Sequence, residues 1–487
     1  MNDKKLVDQA ANGMFWVFID YVGVKGISFL TMLILTRILT PYDFGLIAIT
    51  SVFITIGNIL LESGLSTSLI RNKNNTEADY STIFFINIII SIFLYLLIYI
   101  NRQNISLYFK REELAEILIY YGLLYFSNAI IIVQNAILIK ESNFRLITLI
   151  NLPSTIIGCS IGLLTAYIGF EYWSIIGMQV STQIVYAALI YKKSFWSPKL
   201  IFSMDKLCYH FNFGYKLLIS SILNGITLNI YNLTLAKIGT INQVGAFERA
   251  NNFTNYPLMI LSQIFGKVSF PLMVNMRENS LGLKKIFLNL SVISFILTTL
   301  IMILININSE FIIKYIFGVK WMEMNIYLKA ISISSLFYTV QALNINILKV
   351  NGKSNLILMS EILLKICLIV NISLVFILNK NYFIYIIFIN SLLATLITVY
   401  LGSKELEIEI YTQLKTYLII LVQLFVAYIT TLITLDLCRI ESKNMELMYK
   451  NLLLMIIYFD LFMFHNKDIS HLITNSISSY VRNIYNK

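Results

Sequence analysis

The residues able to do chemistry are a few charges and amides set inside long apolar runs. Asp20 and Lys25 fall in the run 14–36, Lys216 opens 215–235, and Glu248 and Arg249 lie in 246–270. Glu361 and Lys365 lie in 356–378, and Asp460 in 448–464. Runs of this length can cross ~30 Å of hydrocarbon, where one charge at mid-depth costs from ~3 kcal/mol upward. Each charge must therefore find a partner, reach an interface or line a water-filled space. Asp20 and Lys25 are five residues apart, about 140° around a helix, so they do not share a face and at least one turns towards something else. Glu361 and Lys365 are four apart with Glu first, the favourable order for a helical ion pair. Lys365 nevertheless stands roughly 15 Å into its helix at 1.5 Å per residue. Lys216, at a run's start, can reach the headgroups, and Glu248 and Arg249 can neutralise each other. Lysines at mid-depth act as point charges, and Lys25 and Lys365 favour an anionic ligand over a cationic one. Asn87, Gln134, Asn135, Asn224, Asn229, Gln341 and Asn344 could line a hydrated cavity, although singly such amides more often join helix to helix.

The elements that must position these residues follow from composition. The chain has 487 residues, 57% hydrophobic and 13% charged, with a mean hydropathy of +0.75. That excludes a soluble protein, and long runs in place of short alternating segments exclude a barrel. The pattern predicts an all-α polytopic membrane protein with about 14 transmembrane helices: 14–36, 44–61, 83–100, 114–139, 146–168, 173–191, 215–235, 246–270, 286–307, 326–348, 356–378, 382–401, 417–435 and 448–464. About twice as many lysines and arginines fall on one set of loops as on the other, which predicts that both termini are cytoplasmic. The net charge of +11 is scattered through short loops and forms no stripe for nucleic acid. Cys159, Cys208, Cys367 and Cys438 show neither metal spacing nor a disulfide pattern, and His210, His465 and His471 form no metal cluster. Lys4 and Lys5 precede the first run as in a signal peptide, but that run is too long and lacks a small-residue cleavage site, so it reads as a retained helix. The longest inner loop, Lys192–Gly214, leaves no room for a soluble catalytic domain, and no phosphate-loop motif is present.

The chain also repeats itself. Leu35–Leu46 reads LTRILTPYDFGL, and 200 residues later Leu235–Ala246 reads LAKIGTINQVGA. Leu35, Ile38, Thr40, Gly45 and Phe53 recur as Leu235, Ile238, Thr240, Gly245 and Phe253, with Arg37 replaced by Lys237. Six runs separate the copies, so they share an orientation and form a parallel repeat. The expected division is a first lobe over 1–191, a linker over 192–214, a second lobe over 215–401, and two further helices with a tail over 402–487.

These motifs resemble those of bacterial polysaccharide flippases, in the superfamily that includes MATE exporters and lipid II flippases. LTRILTPYDFGL resembles the family's first-loop signature. In order follow ILIKESNFR (137–145), FNFGYKLLISS (211–221), VGAFERANNF (244–253), FPLM (270–273) and FGVKW (317–321). The resemblance is strongest to the Wzx-type branch that includes the colanic acid exporter. It departs at Lys140, where the pattern has arginine, and at Thr240-Ile241, which lacks the first copy's proline. The resemblance implies two six-helix lobes around a central cavity plus two C-terminal helices. It implies a non-enzymatic flippase that moves undecaprenyl-diphosphate-linked oligosaccharide across the bacterial inner membrane by alternating access. No cofactor is implied. The residues expected to line the cavity are Lys25, Lys365, Asp20, Glu361, Lys216, Arg249 and Asn224.

Two other classes remain open from the residues alone. A membrane polymerase or ligase would carry a larger outer loop than this chain has. A MATE-like antiporter of cationic drugs would need an excess of carboxylates at mid-depth. Asp20 or Glu361 could still serve a driving proton or sodium gradient, and a polysaccharide polymerase complex is a possible partner.

Overall fold

The structure is a computed structural model. It describes the backbone of residues 2–62, 64–193, 196–377, 382–438 and 443–465, and their side chains apart from residues 2–11, 14, 267–268, 435–448 and 462–465. Lys4, Lys5, Cys438, His465 and His471 thus lie outside the described side chains.

The described chain is helical throughout, with no strand. The first half holds α1 (Asn2–Ile38), α2 (Pro41–Glu62), the short α3 (Leu65–Arg71), α4 (Glu77–Phe109) and α5 (Glu113–Gly122). It continues with α6 (Leu124–Lys140), α7 (Phe144–Ile168), α8 (Trp173–Lys193) and α9 (Met204–Ile238). The second half holds α10 (Ile241–Asn275), α11 (Ser280–Ile307), the single turn α12 (Ser309–Ile312), α13 (Met324–Ser334) and α14 (Tyr338–Val350). It ends with α15 (Ser354–Ile377), α16 (Tyr382–Glu405), α17 (Ile410–Cys438) and α18 (Lys443–His465). Among the described residues thirteen stretches are long and apolar enough to cross a membrane. The fourteenth expected span falls on α18. Two expected spans are interrupted: 114–139 is divided at Leu123 between α5 and α6, and 326–348 passes through a 3-10 turn at Ser335–Phe337.

Each helix begins and ends for local reasons. Thr76 and Asp79 form a reciprocal capping box at the start of α4. Asn143 and Asn279 accept the third amide of α7 and α11. Gly169 closes α7 at φ 97°, a left-handed conformation that glycine adopts without strain.

The repeat is visible at its two breaks. α1 gives way to α2 at Leu39-Thr40, and α9 gives way to α10 at Gly239-Thr240. At the first break Asp43 Oδ2 accepts from Thr40 N at 2.8 Å and from Thr40 Oγ1 at 2.7 Å. At the second, Gln243 Oε1 accepts from Thr240 N at 3.1 Å, and Gln243 N donates to Thr240 Oγ1 at 3.2 Å. The two helix starts also press on each other. A Cβ on Gly45 would overlap the carbonyl of Ile241, and one on Gly245 would overlap the carbonyl of Pro41. Each copy's glycine is thus the place where the other copy's backbone lies.

By packing, the chain forms two compact units. The first holds Met1–Arg249 with Phe311–Met324, and the second holds Ala250–Glu310 with Asn325–Lys487. In the first unit α7 meets α8 across small residues: a Cβ at Gly158 would strike Thr182, and one at Gly162 would crowd Met178. The segment 311–324 closes this unit over the end of α1. Trp321 is fully buried; its Nε1 donates to Thr36 O at 2.8 Å and its ring meets Phe44 edge-on. Lys320 Nζ donates to the carbonyls of Arg37 and Ile38 at 2.8 and 2.9 Å, satisfying carbonyls that the helix end leaves open. The second unit packs α11, α14, α16, α17 and α18 around Phe295, Val340, Val399, Tyr417 and Tyr458. Hydroxyl pairs stitch this core, Thr298 to Thr339 at 2.8 Å and Thr299 to Tyr458 at 2.9 Å. The last two helices are therefore part of the second unit's core.

Candidate functional site

In the first unit, Asp20 turns to α7. Both of its carboxylate oxygens accept from Asn151 Nδ2, at 3.1 and 3.3 Å. Lys25 does not share that partner, as the 140° offset requires; it is exposed and has no ion pair among the described residues. A hydrogen-bonded acid and a cation with no close ion-pair contact among the described residues thus occur on one membrane helix. Asn224 and Lys216, both on α9, are exposed, and Lys216 lies 5.8 Å from the Tyr215 ring centroid.

Glu248 and Arg249 stand near the start of α10. Glu248 accepts from Asn232 Nδ2 at 2.7 Å, and Arg249 lies 3.9 Å from Glu248 and 4.5 Å over the Phe44 ring. Glu248 and Arg249 are therefore tied into the wall beside the repeat motif.

In the second unit the Glu361–Lys365 ion pair forms at 3.8 Å. Lys365 is the more enclosed partner, 14% exposed against 43% for Glu361. Glu361 also faces a cavity of about 360 Å³ lined by Gln341, Asn346, Lys349, Ser360 and Thr398. This is a hydrogen-bonding space inside a helical bundle, with one carboxylate and one ammonium on its wall. Asp460, on α18, is exposed.

The amides divide. Gln134 donates to Trp196 O, Asn135 accepts from Tyr186, and Asn229 donates back to Gly225 O. Gln341 bridges to Ser391 and Thr395 while also facing the cavity, and Asn344 is buried against its own helix and Gln413. Asn135, Gln341 and Asn344 thus join one helix to another. Asn87 is fully buried, and neither end of its amide has a hydrogen-bond partner among the described residues.

One polar centre was not anticipated. Asp79 is fully buried and accepts from Thr76 N, Thr76 Oγ1, Lys206 Nζ at 3.1 Å and His210 Nε2 at 3.1 Å. His210 Nδ1 lies 2.8 Å from Ser68 Oγ. The cluster joins α3, α4 and α9. The order Ser–His–Asp resembles that of hydrolases; here Ser68 and His210 are buried and hold α3 and α9 to the capping carboxylate of α4. The only local signal was the capping pattern Thr76-x-x-Asp79; His210 lies 131 residues further on.

The fold defined by these helices is that of the MurJ and MATE transporters. A lipid II flippase, MurJ, in its inward closed conformation matches with a TM-score of 0.70 at 16% identity, over 92% of this chain and 99% of that one. An inward-facing MATE family multidrug transporter of the MOP superfamily matches with a TM-score of 0.63 at 14% identity, over 83% and 99%. At such identities the likeness is one of fold. Residues 34–326 match the model of a family described as "Polysaccharide biosynthesis protein", and the chain belongs to that family. Similar proteins include the succinoglycan biosynthesis transport protein ExoT of Rhizobium meliloti, 25% identical over 53% of this chain and 52% of that protein. The teichuronic acid biosynthesis protein TuaB of Bacillus subtilis is 22% identical over 72% and 73%. The lipopolysaccharide biosynthesis protein WzxC of Escherichia coli is 23% identical over 65% of each chain. The chain thus spans about half the length of the first of these relatives and about two thirds or more of the others. It is a multi-pass membrane protein of the family that its motifs resemble.

Proposed function

We propose that this chain is a flippase that moves isoprenoid-diphosphate-linked oligosaccharide, of the undecaprenyl type, from the inner to the outer leaflet of a bacterial inner membrane. It acts by alternating access, with both termini cytoplasmic, and it supplies binding and conformational change, not bond chemistry. The observation that carries this reading is Lys25, a cation on a membrane helix whose neighbouring acid Asp20 is already engaged by Asn151. An exposed, unpaired ammonium at mid-depth is costly in lipid; a wet path that receives an anion removes that cost. Lys365 adds positive charge within the second unit. Its ion pair with Glu361 limits how tightly it can hold a diphosphate, which suits a carrier that must release its load. The cavity at Glu361, apolar over more of its wall than polar, still offers hydroxyls and amides of the kind that a sugar, or a coupling proton or sodium ion, would use. The fold shared with a lipid II flippase and the family's place in polysaccharide biosynthesis support the same reading. A polymerase that extends the exported units is a natural partner.

The test is export in a deletion strain complemented with Lys25→Gln, Lys25→Arg and Lys365→Gln at equal membrane abundance. Loss of surface polysaccharide with Gln, partial rescue with Arg, and lipid-linked oligosaccharide retained on the inner leaflet are expected. Full export by the Lys25→Gln/Lys365→Gln double variant overturns the role of charge.

A further inference from the structure

A second cationic feature lies apart from the residues just discussed, where the end of α3 meets α9. Here a cleft of about 590 Å³ is lined by Arg71, Asn72, Lys73, Tyr209, Asn212 and Phe213, with Ser68 at its back. Its volume is in the range of small-molecule sites. Arg71 and Lys73 have no ion-pair partner among the described residues. The acid nearest the back of the cleft along hydrogen bonds is Asp79, reached from Ser68 through His210. Asp79 is saturated by Thr76, Lys206 and His210, so it does not neutralise the cleft.

The site is also ordered. The Arg71 guanidinium lies 4.5 Å over the Phe213 ring, which holds the fork in place while leaving its N–H donors free. Asn72, Asn212 and the Tyr209 hydroxyl add neutral donors beside the two cations. Planar, preoriented donors of this kind match phosphate oxygens. Elsewhere on α9, roughly 110° around the helix from the cleft residues, Phe211, Tyr215 and Ile219 recur at four-residue spacing and are 47%, 37% and 54% exposed. A tail attached to the phosphate would have to pass around α9 to reach that stripe.

We infer that the α3–α9 cleft is a docking site for the phosphate of a lipid headgroup, with Arg71 and Lys73 as its charged ligands and Phe213 as the platform that orients Arg71. Two lipids carry that chemistry, an isoprenoid diphosphate and an acidic phospholipid. The isoprenoid form rests on the flippase reading above, and would make the cleft the place where the carrier first meets the protein. In the proposed orientation the cleft opens at the cytoplasmic interface.

The experiment uses the purified full chain in neutral detergent and reads binding by native mass spectrometry. Farnesyl diphosphate is titrated first, with farnesol as the control lacking phosphate. Farnesyl diphosphate is expected to bind and farnesol not. Arg71→Gln/Lys73→Gln lowers the affinity tenfold or more, Phe213→Leu lowers it several-fold without removing charge, and Lys192→Gln, an exposed basic residue elsewhere, leaves it unchanged. Phosphatidylglycerol is then added as a competitor. Equal competition assigns the site to acidic phospholipid, and failure to compete assigns it to isoprenoid diphosphate; both keep the phosphate site. Unchanged binding by the double variant and by Phe213→Leu, or equal binding of farnesol, overturns it. The flippase reading can fail independently, because export by Lys25 variants is a separate readout from binding at this cleft.

Discussion

Replacing Gly45 or Gly245 by alanine tests the repeat at its point of contact. The added methyl would fall well inside van der Waals distance of a backbone carbonyl, that of Ile241 for Gly45 and that of Pro41 for Gly245. A backbone oxygen at a capped helix start cannot swing aside as a side-chain tip can, so the two starts must separate. Overpacking of this kind costs about 1–3 kcal/mol. Alanine's helix preference over glycine returns about 0.5–1 kcal/mol, and because neither contact is with a movable side-chain tip the cost falls in the upper part of its range, which leaves a net loss of up to about 2.5 kcal/mol for either variant. Gly26→Ala provides the contrast: Gly26 is inside α1 and a Cβ there meets nothing within 4 Å, so it should gain about 0.5–1 kcal/mol. The double variant should cost less than the sum, because the first methyl already opens the gap the second needs. The assay is thermal unfolding in detergent followed by size-exclusion fluorescence. Gly45→Ala and Gly245→Ala melting at or above the wild-type temperature, or losses that simply add, would refute the mutual packing of the two copies.

Other expectations follow from the same geometry. Trp321→Phe keeps the ring contact with Phe44 but leaves Thr36 O without its donor, for a loss of about 1–3 kcal/mol in the same melting assay; no change would remove Trp321 from its role as a clasp on α1. Asp79→Ala leaves the buried His210 without its acceptor and removes the side-chain cap of α4, for a loss of about 1–3 kcal/mol, whereas Ser68→Ala should cost less; equal losses would contradict the central place of the carboxylate. In a variant keeping only Cys208, which is exposed, an impermeant thiol reagent should label permeabilised but not intact cells, and labelling of intact cells would reverse the proposed orientation.

Much of the fold could be read from the chain because it depends on local pattern. Apolar run length sets the spans, and the matched Thr40 and Thr240 mark helix breaks that the structure caps in the same way. The Glu361–Lys365 pair follows from spacing on one helix, and the absence of an Asp20–Lys25 pair follows from the same arithmetic. What escaped are partners set by packing between distant segments. Asn151 meets Asp20 across 131 residues, Trp321 reaches Thr36 across 285, and His210 meets Asp79 across 131. Nothing in the composition around Asn151 or His210 distinguishes them from other polar residues in apolar runs. The FGVKW motif was visible as a family mark, but its physical task of closing the end of α1 appears only in three dimensions.

The central claim is tested most directly by flipping in a purified system. The full chain is reconstituted into liposomes containing a polyprenyl diphosphate that bears a fluorescent oligosaccharide, and an impermeant quencher is added outside. The account predicts that the inner-leaflet pool, protected in empty liposomes, becomes quenchable with the wild-type chain, remains protected with Lys25→Gln, and becomes partly quenchable with Lys25→Arg. A protected pool as large with the wild-type chain as in empty liposomes, or wild-type flipping by Lys25→Gln, would contradict it.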